Sequence, residues 1–583
     1  MTRLDIRAET ERENRILPPS AVESNHFHIS EAKMKEIVTV QVGDFANFVG
    51  SHFWNFQDEL LGLAEDPFAD SFFKNQDLNM DVLYRTGYPF IYSSPTFNKL
   101  KRTGGVSTQA SEPYKRNLFL QSLYEEEENL NMINEIRGSN NGSQSEYEDK
   151  DITECLENGV QFWTDYSKVH YHPRSLYELN GVWADVEEFD NYGIGRDSFA
   201  WAAQGEEISD RLRFFVEECD HIQGFQFVVD DSGGFSAVAA EFLENIVDEY
   251  TNIPVLLYAV QGSGSRKNLQ SRKHTVLEDL HDAVSFSRLS SFCKLIVPVG
   301  LPSLSKASRF LHIEDAKHYH SSAVYAAALH SISLPFRMVP VGPTSDACSV
   351  SGAVDVHGVV QMLSGQGRQN MVSVLDVAMP APALTGVQNE LSLLEILQPL
   401  TPQIAEDVED MQAIEHMTVH GALASVLTVR CFGSIEGHRA SVGQVKDTVD
   451  AAFLCADTRP MFCHLSVALS PLPIPLPFPS IFGNNVGQHG ELMSGQITNS
   501  SPKGSLVIHS IPMAARLRSS SIVLPFLESK LRNLHQYGIQ RRAAGAELLR
   551  TWGFGQEELV EMEEVLSKMV AALHSPHLSS DSD

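Results

Sequence analysis

The chain has 583 residues, with 44 Lys and Arg against 75 Asp and Glu, a formal net charge of −31. Such an acidic excess excludes nucleic-acid binding through a general basic surface and disfavours direct adsorption to anionic lipid. The length suits two or three domains with a large core, and an apolar fraction of 43% is ordinary for a globular protein.

Residues 1–33 are polar and unpatterned, which predicts a disordered extension, and Met1–Asn14 lacks the apolar core of a secretory signal. "EIVTVQVG" predicts a first strand over Glu36–Gln41. It runs into "DFANFVGSHFWNFQDELL", where Phe45, Phe48, Val49, Phe53 and Phe56 recur at helical spacing. An acidic, Asn/Ser/Gly-rich stretch at about 120–152 reads as an exposed insertion loop. Gly224–Val229 predicts a strand, followed by a turn and a helix bearing Val238, Phe242, Leu243, Ile246, Val247 and Tyr250. "PVLLYAV" (254–260) and "CKLIVPVG" (293–300) are buried-type strands, separated by the amphipathic "HTVLEDLHDAVSFSRL". This alternation predicts an α/β domain over 34–315, with a parallel sheet flanked by helices and Gly224–Val229 near its centre.

A second, mixed α+β domain is predicted over 316–510. It opens on the buried helix "SSAVYAAALHSI" and includes the strand-like runs "ASVLTVRCFGSI" and "GSLVIHSI". Residues 511–583 read as a helical segment, in which Leu559, Met562, Val565, Leu566, Met569, Val570 and Leu573 form a stripe expected to pack onto the body.

Seven scattered cysteines without a C-x-x-C pair suit free thiols in a reducing compartment rather than disulfides or a zinc site. Two N-x-S sequons, at Asn141 and Asn499, read as chance in such a chain. No run qualifies as a transmembrane helix. The most apolar one, Leu465–Phe482, holds prolines at 471, 473, 475, 477 and 479, so it predicts an extended segment, buried or edge-running, against the sharper reading of a docking site for a proline-reading module. His170 with His172, and His318 with His320, are i, i+2 pairs. The first would share a face on a strand, but no third ligand lies near in sequence, so packing is expected and no metal is assigned. There is no G-x-S-x-G, H-E-x-x-H or P-loop.

Three segments resemble tubulins, in the tubulin order: "MKEIVTVQVGDFANFVGSHFW" (34–54), "EECDHIQGFQ" (217–226) and "LRTWGFGQEELVEMEEVLSKM" (549–569). The resemblance implies a tubulin/FtsZ-like fold with a parallel-sheet, nucleotide-type domain, a mixed α+β second domain and C-terminal helices. "DVLYR" (81–85), "VHYHPRS" (169–175), "DRLRFFVEECDHIQGFQ" (210–226) and "SGGFS" (232–236) resemble the Misato family in particular, with the poorest fit at 97–117. That resemblance implies a cytosolic protein, peripheral on the mitochondrial outer membrane, acting with proteins of that surface in mitochondrial distribution, morphology and fusion. Tubulin and chaperonin are further implied partners.

The resemblance also places a degenerate nucleotide loop on Gly43, Asn47, Gly233, Gly234 and Ser236. The tubulin signature GGGTGSG falls on Ser232–Val238, with only Gly233 and Gly234 kept as glycines and Phe235 at the threonine position. Asp44 and Phe45 replace Gln and Cys in the first loop, the base-stacking Asn falls on Ser321, and the catalytic loop retains only an acid, Asp355, without its Asn. A phosphate needs backbone N–H groups at a helix N-terminus with glycines for close approach. The bulk of Phe235 obstructs it, and Asp230 and Asp231 repel it by on the order of 4 kcal/mol per charge pair at ~4 Å and an effective dielectric of ~20, which Mg²⁺ would offset. The expectation is therefore a non-enzymatic interaction protein with no catalytic residue and no cofactor. The alternatives are a self-assembling GTPase that binds GTP, and a cofactor of tubulin and microtubule assembly in mitosis.

Overall fold

The computed structural model describes residues 35–74, 78–83, 96–98, 153, 156–179, 189, 191–200, 204–263, 272–305, 308, 310–339, 352–365, 370–385, 393–405, 412–428, 435–456, 459–493 and 501–574. The expected disordered extension, the acidic insertion and nearly all of 97–117 lie outside them.

Strand β1 (Glu36–Val42) leads into helix α1 (Asp44–Glu65). β2 (Thr96–Asn98), β3 (Leu176–Glu178), α2 (Tyr192–Ala200) and α3 (Gln204–Glu218) follow. Then come β4 (Ile222–Asp230), α4 (Gly233–Glu249), β5 (Val255–Val260), α5 (Arg272–Ser291), β6 (Leu295–Val299) and α6 (His318–Ser333). The second half runs through α7 (Val356–Leu363), β7 (Met371–Val372), β8 (Val374–Ala378), α8 (Leu393–Ile396), β9 (Gln398–Pro399), β10 (Ile414–His420), β11 (Leu423–Thr428) and β12 (Ile435–Arg439). It continues with α9 (Val442–Cys455), β13 (Phe462–Ala468), β14 (Leu472–Pro473), β15 (Ser510–Ile511) and β16 (Met513–Ser519). Helices α10 (Leu524–Leu534), α11 (Ala546–Thr551) and α12 (Gln556–His574) close the chain.

Seven strands form one parallel sheet in the order β3-β2-β1-β4-β5-β6-β7. Every residue of β1 is buried, as a parallel strand covered on both faces requires. The side chains alternate between two cores. Ile37, Val228, Leu256 and Tyr258 face the layer of α1 and α6. Val40, Phe227, Val229 and Leu257 face the layer of α4, α5 and the C-terminal helices. Helix α6 is buried over Tyr319–Ser333, because its small Ala and Ser side chains let α1 and the second sheet approach from opposite sides. β4 is the central strand, as its apolar run predicts.

The second sheet has the order β13-β10-β16-β8-β9 and is mixed: β10 pairs parallel with β13 and antiparallel with β16. Here the sequence reading needs correction. The segment after residue 511 is not wholly helical, since Met513–Ser519 is the strand at the middle of this sheet. Its alternation Ala-Ala-Arg-Leu-Arg carries too few large apolar residues to signal a strand by composition. "GSLVIHSI" is mostly a turn, and only its last two residues pair, as β15 with β14. β7 lies beyond residue 315 yet adds to the parallel sheet.

The proline run is extended and buried, with Leu472, Ile474, Phe478, Ile481 and Phe482 in the core and Leu472–Pro473 paired with Ser510–Ile511. On α12, Leu559, Met562, Leu566 and Met569 are buried against α5 and α10, and Val565, Val570 and Leu573 pack partly against the same core. Among the described residues no helix is long and apolar enough to cross a membrane, and Cys219, Cys293, Cys455 and Cys463 are free thiols.

Candidate functional site

The C-terminal ends of β1 and β4 meet at the N-terminus of α1. The two strands are neighbours in register, with Val42 opposite Val229, so Asp230 comes to lie beside Gly43. Gly43 is at φ 132°, and a Cβ there would fall inside the Asp230 carboxylate, so the close approach depends on glycine. The first turn of α1 has no side-chain cap of its own. Its amides are satisfied from the neighbouring strand instead. The Ala46 N–H donates to Asp230 Oδ1 at 2.7 Å and the Phe45 N–H to Oδ2 at 3.3 Å. A carboxylate thus sits where the helix dipole and free N–H groups would hold an anion. Burial pushes the Asp230 carboxyl well above the usual range, against the pull of the Ala46 and Phe45 amides.

Asp230 is therefore not a charge pointed into an open phosphate turn, as repulsion alone would have it. It is the internal ligand of the first loop.

The second loop is closed as well. Gly233 begins α4 at φ 78°, but the N–H of Gly234 donates to the Phe189 carbonyl at 3.0 Å. A Cβ on Gly234 would lie 2.6 Å from the Phe189 ring, and one on Gly195 of α2 would collide with the Gly234 carbonyl. Helix α2 thus lies backbone to backbone over the turn. The Ser236 hydroxyl donates to the Gly233 carbonyl at 2.7 Å and lies 2.8 Å from Ser285 Oγ. Phe235 does not block the turn mouth with its bulk, as the sequence suggested. Its ring is buried, edge-on to Phe189 at 4.9 Å.

Arg196 fastens α2. It pairs with Glu558 at 3.0 Å and Glu241 at 3.4 Å, and its guanidinium lies 4.8 Å from the centre of the Phe554 ring. The tubulin-like C-terminal segment therefore helps to hold the lid shut.

The remaining predicted positions are also committed. Asn47 is buried in α1, its N–H donating to the Gly43 carbonyl at 3.2 Å. Phe45 packs edge-on to His318 at 5.2 Å and to Tyr325 at 6.0 Å. The Ser321 hydroxyl is buried and bonded to carbonyls of its own helix. Asp355 caps α7 through the Gly358 N–H at 2.8 Å and pairs with Lys35 at 2.8 Å. The Phe45, Ala46 and Gly234 amides of the two loops are thus bonded to the chain's own groups.

Neither histidine pair builds a metal centre. His170 and His172 lie outside any strand, and His172 stacks on Phe214 at 5.6 Å. His318 and His320 sit in a helix, where i, i+2 residues do not share a face. His320 joins Glu157 and Glu314 in a group of ligand-type atoms, but the Lys317 ammonium already lies 2.9 Å from Glu314 and 3.6 Å from Glu157. The His320 Nδ1 accepts the Glu314 N–H at 3.3 Å, which keeps the ring proton on Nε2, facing Glu157.

Sequence reasoning found the glycines and missed their occupants, Asp230 as ligand and Phe189 and Gly195 as lid. The signals available were the β1–β4 register and the glycines of "YGIG" (192–195).

Comparison with known proteins follows the same frame. Residues 153–338 match a family model described as a tubulin domain, and residues 35–98 one described as the Misato Segment II tubulin-like domain. The chain is 27% identical to protein misato homolog 1 of Mus musculus, over 92% of this chain and 97% of that protein. The Homo sapiens protein of the same name is 26% identical over 88% of this chain and 93% of its own length. Protein dml-1 of Neurospora crassa is 27% identical over 58% and 62% respectively.

Proposed function

We propose that this chain, which belongs to the Misato family of tubulin-like proteins, acts as a non-enzymatic interaction protein in mitochondrial distribution and morphology, working from the cytosol on the mitochondrial outer surface. The mitochondrial setting is what the family resemblance implies. The absence of turnover rests on one observation, the turn whose anion-binding amides are taken by the chain's own Asp230 carboxylate and Phe189 carbonyl. A tubulin-like frame around a turn closed in this way offers surfaces to partners rather than a nucleotide-dependent switch.

The competing reading, a self-assembling GTPase, requires Asp230 and Phe189 both to leave their amides and Phe45 to leave His318. A cofactor role in tubulin assembly uses the same scaffold with tubulin or chaperonin as partner. The test is rescue of mitochondrial morphology in depleted cells by wild type and by Asp231→Asn, beside GTP binding by the two purified proteins. Full rescue by Asp231→Asn without GTP binding by wild type is expected. Tight GTP binding by wild type, lost together with rescue in the variant, overturns the proposal.

A further inference from the structure

A second feature, independent of the glycine turn, lies on the face of the second sheet that α9 covers. Strand register brings four charges to this face: Glu415 lies opposite Arg518, and Arg516 opposite Asp376. Further along it, Met417 and Val419 pack under Val445, Val449 and Phe453 of α9 in a small apolar core. Beside the two arginines the covering stops. A cavity of about 220 Å³ opens there, lined by Arg516 and Arg518 and walled by Leu394, Phe453 and Ile522.

The two acids are committed within the cluster. Asp376 accepts from Arg516 Nε and Arg518 Nη2, both at 2.9 Å, and Arg518 Nε lies 2.8 Å from the same carboxylate. Glu415 Oε1 accepts from Arg516 Nη1 at 3.1 Å, and its other oxygen, Oε2, is sealed beneath the surface. Neither carboxylate offers the cavity a free oxygen. The guanidiniums differ. Arg516 Nη2 and Arg518 Nη1 make no hydrogen bond to any described residue, yet neither nitrogen is sealed from solvent. Asp376 and Glu415 balance the two cations, so the cluster has no excess charge to draw an anion from a distance. What it presents at short range is a set of N–H donors without acceptors. Such groups, partly withdrawn from water, favour a partner, and the edge of a guanidinium matches a carboxylate in two parallel hydrogen bonds.

We infer that this cavity binds a small organic carboxylate with an apolar body, its oxygens accepting from Arg516 Nη2 and Arg518 Nη1 and its hydrocarbon lying against Leu394, Phe453 and Ile522. The size suits it, since a cavity of ~150 Å³ already holds benzene. An inorganic anion would meet the same donors but leave the apolar walls unfilled, which favours a ligand with both parts.

The test uses the full-length protein and three probes of similar shape: phenylacetate, phenylacetamide and phenethylamine, titrated by ligand-observed NMR. Saturable binding of phenylacetate is expected, with the neutral amide at least tenfold weaker and the amine weaker still. Arg518→Gln leaves the Arg516–Asp376 pair in place and should weaken phenylacetate at least tenfold. Ala456→Trp, at the partly exposed rim and clear of the charge cluster, should block it while leaving the melting temperature near that of wild type. Amide or amine binding as tightly as phenylacetate would reduce the cavity to an apolar crevice, and that result overturns the assignment. So does the absence of saturable phenylacetate binding to the wild-type protein, or an affinity unchanged in either variant.

Discussion

The Asp230 carboxylate lies 2.7 Å from the Ala46 amide nitrogen, so the last residue of one strand caps the helix that follows its neighbour. The contact joins residues 184 positions apart and stands in for the side-chain cap that α1 lacks. Asp230→Ala leaves these amides unpaired and should cost about 1–2 kcal/mol, the usual worth of a lost N-cap. Asp230→Asn retains an acceptor and should cost less than half of that. Chemical denaturation of the three proteins gives the ranking, and an alanine variant as stable as wild type would remove Asp230 from the cap.

Gly43→Ala should be worse than either. It combines a left-handed backbone with a methyl group inside the Asp230 carboxylate, and about 3 kcal/mol or more of destabilisation is expected. An unchanged denaturation midpoint would mean that the strand ends are not this close.

Gly195→Ala should lift α2 from the turn. The added carbon collides with the Gly234 carbonyl, so the bond from the Gly234 amide to Phe189 is strained from both sides. Hydrogen exchange of the peptide containing Gly233 and Gly234 should speed up by tenfold or more, while peptides of β5 and β6 are unaffected. Equal acceleration everywhere would indicate global destabilisation and no lid.

Buried histidines make the fold acid-sensitive in a defined window. Burial lowers His52, His416 and His420 each to about 3. The unfolded chain, with histidine near 6.5, then binds more protons than the native state between about pH 6.5 and 3. Each site is therefore fully stabilising above pH 6.5 and loses up to ~1.4 kcal/mol per pH unit as pH falls through that window. His420, whose Nε2 lies 2.9 Å from Ser331 Oγ, is the clearest probe. His420→Gln should be less stable at pH 7.5, yet show a shallower decline in melting temperature from pH 6.5 to 4.5. Parallel declines would contradict the titration.

Leu566 is fully buried between α12 and the helices beneath it, so Leu566→Asp should lower stability by about 3 kcal/mol or more through an unpaired buried charge. A melting temperature equal to that of wild type would place the C-terminal stripe in solvent.

The parallel half of the fold was legible because Val38, Val40, Phe227, Val229 and Leu257 sit in largely apolar strands, as burial on both faces requires. β16 was not, because its core position is filled by Ala514, Ala515 and the half-buried Arg516, whose partners come from two other strands. The glycines of the candidate site were legible through the resemblance to the tubulin loops. Their occupants were not: Asp230 reads locally as a carboxylate in a turn, and only the register of β1 against β4 turns it toward α1. Phe189 and Gly195 act through a lid set more than thirty residues before the turn, a separation that local pattern cannot bridge.

The central claim, that the chain's own groups fill the nucleotide turn, is tested most directly by the guanine nucleotide content of full-length protein purified without denaturation, followed by a GTP titration with Mg²⁺. The account predicts less than about a tenth of a mole of nucleotide per mole of protein and no saturable binding at micromolar GTP. Near-stoichiometric nucleotide, or micromolar binding abolished by Gly234→Ala, would contradict it.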